Sequence, residues 1–222
     1  YPTFEKDIDP KQRAWIEVRG KAIETNVRQL RLRLNKNCQF MAVVKADGYG
    51  HDAKVVSEYA IKGGASQLGV ATLKEGIKLR SSGVIKPILI LGNLYTKKDL
   101  IIAFKNDLMP TISGMRECLI CNNIGKHFGL KFSLHLKVDT GMSRLGFEYS
   151  KFLQHFEKIK SFENIIIEGI YSHLSSADEE NSLNPKSSTQ LQKLKFNELL
   201  EQIYVYKNHN IKIHLANSAA ML

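Results

Sequence analysis

The sequence is poor in cysteine and has no long apolar run, and each shortage excludes a class of protein. Three cysteines, Cys38, Cys118 and Cys121, are too few and odd in number for the disulfide framework of a small secreted domain. The pair Cys118-x-x-Cys121 lacks the second pair that zinc needs, and we expect it inside a helix. Apolar stretches such as residues 84–91 are much shorter than the roughly 20 residues of a membrane span, and no signal-peptide pattern opens the chain. We therefore expect a cytoplasmic protein with no membrane partner.

Acidic residues are outnumbered, which makes the chain basic. Lysine and arginine total 32 against 22 aspartate and glutamate, for a formal net charge of +10. This balance suits anionic ligands or nucleic acid. The basic residues are nevertheless scattered as singles and doublets such as Lys97-Lys98, and no basic stripe alternates with aromatic residues. We expect a lysine-rich surface and no nucleic-acid partner.

Apolar, β-branched runs alternate with segments of helical spacing along the chain. The runs predicted as buried strands are residues 40–44, 67–71, 87–91, 108–112, 132–138, 165–171 and 211–215. Between them, apolar residues recur at helical spacing, as in Phe152, Phe156 and Ile159. The alternation predicts an α/β fold of parallel strands joined by helical crossovers, either a doubly wound sheet or a closed eight-stranded barrel.

The number of predicted strands falls one short of a closed barrel. Seven are found before Leu222, so we expect the last strand to be missing and the chain to be part of a longer protein. Residues 14–20 alternate like a half-exposed strand, and we assign residues 1–20 to an N-terminal segment whose strand belongs to another sheet. Residues 21–222 then form the barrel, incomplete at its C-terminus. An open barrel leaves two unpaired edges, which predicts poor stability for the isolated chain.

Chemically useful side chains follow four of the predicted strands. They are Lys45, Asp139, Thr140, His173, Asn217 and Ser218. Each lies at the carboxyl end of its strand, the face on which barrel enzymes build their active sites. We therefore expect these side chains to meet at one rim.

Lys45 follows the apolar run "MAVV". A lysine held against apolar walls loses solvation of its charged form, and its amine becomes available to an aldehyde. The alternative is a lysine whose stem packs while its ammonium group reaches water. At the other end of the chain, Asn217 and Ser218 stand among alanines, a composition that suits either a phosphate-binding helix start or an ordinary N-cap.

Two further positions admit two interpretations each. His173 either lies flat on an aromatic ligand or is a hydrogen-bonded core histidine. The segment "KVDTGMSRLGF", residues 137–147, puts Lys137 and Asp139 on one face of a strand and brings Arg144 back after a turn. If Lys137 is buried, it needs an anion or a chemical change.

Four segments resemble, in order and spacing, the N-terminal motifs of bacterial alanine racemases, which depend on pyridoxal 5'-phosphate. They are "AVVKADGYGHD", "KVDTGMSRLGF", "YSHLSSAD" and "HLANSAA". The resemblance extends over about residues 14–222; Asp47-Gly48, Asp52 and Ser143 depart from the residues most often found there. It implies a TIM-type barrel followed by a β-domain, in a homodimer that interconverts L- and D-alanine and so supplies D-alanine for peptidoglycan.

The resemblance also implies roles for individual residues and no metal. Lys45 matches the lysine that binds the cofactor covalently and acts as one of two bases. Tyr49 and Ser218, with neighbouring backbone, match the phosphate-binding positions, and Asn217 lies beside them. His173 matches the residue that packs against the pyridine ring.

Arg144 and Lys137 complete the implied set. Arg144 matches the residue that reaches the cofactor's phenolic oxygen, and Lys137 matches a position often found as a carbamate, which would orient Arg144. The second base, a tyrosine from the other subunit's C-terminal domain, and an arginine on the eighth strand would both lie beyond Leu222. We therefore expect the isolated chain to be impaired in racemising alanine.

Two other functions stay open at this point. One is a barrel protein that binds pyridoxal phosphate without turning over a substrate and takes part in handling the vitamin. The other is a barrel racemase or decarboxylase of different substrate specificity, because fold alone does not fix chemistry.

Overall fold

The computed structural model describes residues 16–204 and 211–221 and shows an α/β fold whose strands form one curled half-barrel. The strands are β1 (Met41–Val43), β2 (Gln67–Val70), β3 (Ile88–Asn93), β4 (Met109–Ile112), β5 (Phe132–Asp139), β6 (Phe147–Glu148), β7 (Ile165–Tyr171) and β8 (Lys212–His214). All pairings are parallel, in the order β1-β2-β3-β4-β5-β7-β8, and the two-residue β6 pairs with β5 alone. The seven predicted strands are confirmed. Their order follows the chain without reversal, as in a barrel rather than a doubly wound sheet.

Helices connect these strands. They are α1 (Gly20–Leu32), α2 (Lys45–Gly50), α3 (Ala53–Gly63), α4 (Leu73–Ser81), α5 (Lys97–Lys105), α6 (Met115–Phe128), α7 (Tyr149–Lys160), α8 (Ser188–Tyr204) and α9 (Ser218–Met221). Their starts have local causes: Thr72 caps α4 in a capping box with Glu75, and Thr96 caps α5 by accepting from the Asp99 N–H.

The core lies between the sheet and the helices that cover it. Every residue of β2 and β4 is buried, as expected of strands covered on both faces. From the helix side, Phe152 and Phe156 of α7 have no exposed surface. The helix predicted from the spacing of these residues is confirmed. Among the strands described, β1 and β8 are each paired on one side only, so the sheet is open there.

The predicted strand at residues 14–20 is not seen where the structure describes it. Residues 16–19 have no regular structure, and Gly20 begins α1; Ala14 and Trp15 lie outside the described residues. A strand requires a hydrogen-bonded neighbour, and none of the described strands pairs with this segment. Its assignment to a second sheet stays a prediction.

The two buried cysteines lie on α6, as expected. Burial raises the pKa of the Cys118 thiol to about 12 and that of Cys121 still further, so neither forms the reactive thiolate at neutral pH. Within residues 16–204 and 211–221, no helix is both long and apolar enough to cross a membrane.

Candidate functional site

The polar residues predicted at the strand ends share one rim. Lys45 follows β1 by two residues, Lys137 lies near the end of β5, His173 follows β7 by two residues, and Asn217 follows β8 by three. Because the strands are parallel, all of these positions face the same end of the half-barrel. The predicted convergence is therefore present in the backbone.

A left-handed turn carries the chain away from Lys45. Ala46, Asp47, Gly48 and Tyr49 have φ between 50° and 66° and ψ between 35° and 48°. Such backbone costs a non-glycine residue about 1–2 kcal/mol, so the three non-glycine residues store roughly 3–6 kcal/mol of strain. Strain of this size persists only where surrounding contacts impose it, and it is concentrated at functional sites. The sequence does not reveal the hand of this turn.

Contacts on several sides hold this turn in place. The Gly48 N–H donates to the Val44 carbonyl over 3.0 Å, and the Asp47 carboxylate accepts from Lys78 Nζ at 2.9 Å and from the Ala53 N–H at 3.3 Å. The hydrogen bond from Lys78 is the main reason that the pKa of Asp47 is lowered. Gly48 is needed because its φ is +66° and a Cβ there would lie 2.8 Å from Val56 Cγ2.

Lys45 is half-buried and Tyr49 is exposed. Lys45 Nζ lies 5.8 Å from the centre of the Tyr49 ring. The residue before the lysine, Val44, has no exposed surface. The chain thus passes from the core at Val44 to the rim at Lys45. The lysine is neither enclosed by apolar walls nor fully in water, the two alternatives that the sequence predicts.

Lys137 is buried, with 4% of its surface exposed. Its Nζ lies 5.6 Å from the centre of the Tyr171 ring, and among the ion pairs of the described residues none involves it. Burial, followed by the charge of Arg144, lowers the pKa of Lys137 to about 8, and Asp139 offsets part of the effect. This is the unpaired buried lysine for which the sequence predicts an anion or a chemical change.

His173 is half-buried, and its surroundings bring the basic residues of the rim together. Its pKa is lowered first by burial and then by the positive charges of Lys137, Arg144 and Lys45. Three basic side chains therefore lie close enough to act on one imidazole ring. The ring is neutral at neutral pH.

Arg144 is exposed, on a loop that Asp139 shapes. One carboxylate oxygen of Asp139 accepts from the Gly141 N–H at 2.9 Å and from the Ser143 N–H at 3.0 Å. The loop closes through Gly146, whose φ is +136° and where a Cβ would lie 2.5 Å from the Asp139 nitrogen. The backbone of the segment returns Arg144 to the rim, as its glycines predict.

Asn217 caps the short helix α9. Its Oδ1 accepts from the Ala220 N–H at 3.1 Å, which confirms a helix start here. Ser218 is exposed at the first residue of that helix. Phosphate binding at this position stays a prediction.

Gln192 of α8 is a functional candidate that sequence reasoning missed. It is 3% exposed, and its Oε1 accepts from the Ser175 N–H and Oγ, both at 3.0 Å. Its Nε2 donates to the His173 carbonyl at 2.9 Å and to Thr140 Oγ1 at 3.4 Å. The amide thus joins the segments that follow β5 and β7. A glutamine in a polar helix gives no signal of this role.

An aromatic group of two buried residues, His135 and Tyr171, with half-buried His214 was also missed. His135 Nδ1 and His214 Nε2 share a hydrogen bond of 3.0 Å, and the Tyr171 ring stacks on His214 at 4.4 Å between centres. The Tyr171 hydroxyl bonds Thr111 Oγ1 at 2.8 Å. Burial lowers the pKa of His214 to about 4 and that of His135 well below its usual value, so both rings are neutral. No group of three or more metal-binding side chains occurs in the described part of the chain.

The fold and the rim define an α/β half-barrel protein with a basic, partly buried site at the carboxyl ends of its strands. Residues 18–222 match the family described as alanine racemase, N-terminal domain. The chain is 46% identical over 215 residues to the alanine racemase of Prochlorococcus marinus, an alignment that covers 97% of this chain and 55% of that protein. The chain belongs to the alanine racemase N-terminal domain family.

Solved structures agree with this membership. Alanine racemase from Clostridium difficile 630 superposes with a TM-score of 0.82 at 29% identity, over 91% of this chain and 51% of that one. Alanine racemase from Bacillus anthracis with bound L-Ala-P superposes with a TM-score of 0.81 at 32% identity, over 94% and 53%. The chain spans about half the length of the curated relatives it matches.

Proposed function

We propose that this chain is the cofactor-binding part of a pyridoxal phosphate-dependent alanine racemase. The observation that carries the proposal is the meeting of Lys45, Lys137, Arg144 and His173 at one rim, with Lys45 raised on a strained turn. The donor set fits the cofactor: a half-buried amine suits its aldehyde, a neutral imidazole suits its ring, and basic groups suit its anionic oxygens.

Binding is proposed to be shared among the rim residues. Tyr49 and Ser218 would bind the phosphate, with Asn217 beside them at the start of α9. His173 would pack against the pyridine ring. Its imidazole is neutral because burial and the neighbouring positive charges lower its pKa, and a neutral ring suits this contact. When bound, pyridoxal phosphate withdraws electrons from the α-carbon of an amino acid and so acidifies its α-hydrogen.

Lys45 is proposed to move that proton. Its amine would bind the cofactor and, once displaced by the substrate's amino group, act as general base on one face of the α-carbon. One lysine reaches one face only. We propose that the opposite base comes from a partner subunit in a homodimer, and that the whole protein supplies D-alanine for peptidoglycan in the cytoplasm.

Arg144 and Lys137 are proposed to act as a pair. Arg144 would donate to the cofactor's phenolic oxygen. The lowered pKa of Lys137 leaves part of its amine neutral near neutral pH, the form that attacks carbon dioxide. The new N–C bond forms with loss of one proton, and the resulting carbamate is an anion able to orient Arg144.

Exchange of the α-hydrogen with solvent tests this proposal. The chain is incubated in D₂O with pyridoxal phosphate and either L- or D-alanine, while deuterium at the α-carbon, configuration and carbon dioxide are followed. With one base available, we expect exchange of one enantiomer with retained configuration and little racemisation. Lys45→Ala should abolish the exchange, whereas Lys54→Ala, on neighbouring α3, should leave it unchanged.

Other outcomes would favour the other functions. Release of carbon dioxide would indicate a decarboxylase, and faster exchange of an amino acid other than alanine would indicate a different specificity. Cofactor binding at Lys45 with no exchange of any amino acid would indicate a protein that only binds pyridoxal phosphate. Each of these results would overturn the racemase proposal for this chain.

A further inference from the structure

Glu75 joins the backbone next to Lys45 to the neighbouring strand. Its Oε1 accepts from the N–H of Ala46 at 2.8 Å. Its Oε2 accepts from the N–H groups of Ala71 and Thr72, at 2.7 and 3.0 Å. Ala46 follows β1 and the other two donors follow β2. One carboxylate therefore connects the carboxyl ends of two adjacent parallel strands.

The contact with Ala46 falls at the first left-handed residue of the turn. Ala46 has φ 50° and ψ 48°, and its N–H belongs to the peptide bond that links it to Lys45. Fixing that N–H fixes the plane of the peptide from which Lys45 emerges. The strained backbone has a lower-energy alternative in right-handed space, so a contact made only in the left-handed form selects the direction of the lysine.

The chemistry of the contact is specific for a carboxylate. Three N–H donors converge on two oxygens, and a carboxylate is an acceptor at both. An amide of the same shape offers one oxygen and one NH₂ group, which would face a backbone N–H donor. Glutamine is therefore expected to lose at least one side of the junction, although its size is unchanged.

We infer that Glu75 is a positioning residue for Lys45, because its hydrogen bonds hold the first peptide of the left-handed turn next to the end of β2. The inference goes beyond the capping-box role of Glu75 in α4. The role of Glu75 in positioning Lys45 for the cofactor rests on the proposed function. The hydrogen bond that fixes the Ala46 peptide does not depend on it.

The test compares Glu75→Gln with Asp99→Asn. Asp99 occupies the same position in the first turn of α5 and is bonded to the cap Thr96, and among the described residues no hydrogen bond joins it to the left-handed turn. Three quantities are measured on each full chain: amide hydrogen exchange at Ala46, reductive methylation of Lys45 by formaldehyde, and the pyridoxal phosphate concentration that half-saturates borohydride trapping at Lys45. The thermal midpoint of each variant controls for general loss of fold.

For Glu75→Gln we expect Ala46 exchange to accelerate about tenfold and half-saturation to need about tenfold more cofactor, as loss of a charge-assisted hydrogen bond implies. Methylation of Lys45 should change as well, while Asp99→Asn alters none of the three. Unchanged Ala46 exchange, or equal effects in both variants, would overturn the inference. If the parent chain traps no cofactor, the proposed function fails, and exchange and methylation still decide the role of Glu75.

Discussion

Replacing Gln192 by leucine tests whether one buried amide connects the segments after β5 and β7. The substitution keeps the approximate volume and removes the hydrogen bonds to Ser175, His173 and Thr140. Ser175 is exposed, so water replaces its lost partner, whereas Thr140 is buried and the 2.9 Å bond to the His173 carbonyl has no substitute in leucine. At about 1 kcal/mol for each bond that is not replaced, we expect a loss of about 2 kcal/mol in the free energy of unfolding.

Equilibrium unfolding in urea measures this loss. For a chain of this size, a loss of about 2 kcal/mol lowers the midpoint by roughly 1 M urea at an unchanged slope. Gln202→Leu is the matched control, because Gln202 lies on the same helix, is exposed and, among the described residues, donates only to the backbone of Glu198, at 3.2 Å. Its free energy of unfolding should change by less than about 0.5 kcal/mol. A Gln192 variant as stable as the parent, or a control that loses as much, would show that the Gln192 amide does not stabilise the two segments.

Three further predictions concern the rim and the layer below it. Burial lowers the pKa of the free Lys137 amine from 10.5 to about 8, so the unfolded chain binds more protons between these values and stability rises with pH across them. In buffer free of carbon dioxide, Lys137→Met should flatten that rise in urea unfolding at pH 7 to 10, and an equal rise in both proteins would contradict this. Burial lowers the pKa of His214 from 6.5 to about 4, so the free energy of unfolding should decline as the pH falls between these values. An unaltered decline in His214→Gln would show that His214 is not responsible for it. Gly146 has φ +136°, so Gly146→Ala should lower the free energy of unfolding by about 2–3 kcal/mol. If the variant instead unfolds at the same temperature as the parent, the loop adapts to the side chain and the prediction is wrong.

The sequence was sufficient to predict the strands, but their alternation with helices left both a doubly wound sheet and a barrel open, and only the resemblance implied the barrel. Buried parallel strands are apolar on both faces, so their runs stand out without any knowledge of the fold, and the polar residues that follow them mark the rim. The two-residue β6 has no such pattern. Residues 16–19 alternate in hydrophobicity, but a strand also needs a neighbour, which the sequence does not reveal.

The conformation of the site was harder to predict than its position. Aspartate occurs in left-handed backbone more often than most residues, but alanine does not, so the identities of Ala46 and Asp47 do not predict a run of it. Contacts from Glu75 and Lys78 of α4 stabilise it. Gln192 and the His135–His214 pair gave no signal either, because the identity of a polar residue does not tell whether it is buried and hydrogen-bonded or exposed. Such features depend on which segments meet, and local patterns do not report this.

Borohydride trapping shows whether Lys45 forms the covalent bond to pyridoxal phosphate. The chain is incubated with pyridoxal phosphate, reduced, digested and examined by mass spectrometry. We predict that the peptide containing Lys45 carries one reduced pyridoxyl phosphate group and that Lys45→Ala carries none there. An unmodified Lys45 peptide, or modification spread evenly over the surface lysines, would show that Lys45 is not the residue that binds the cofactor.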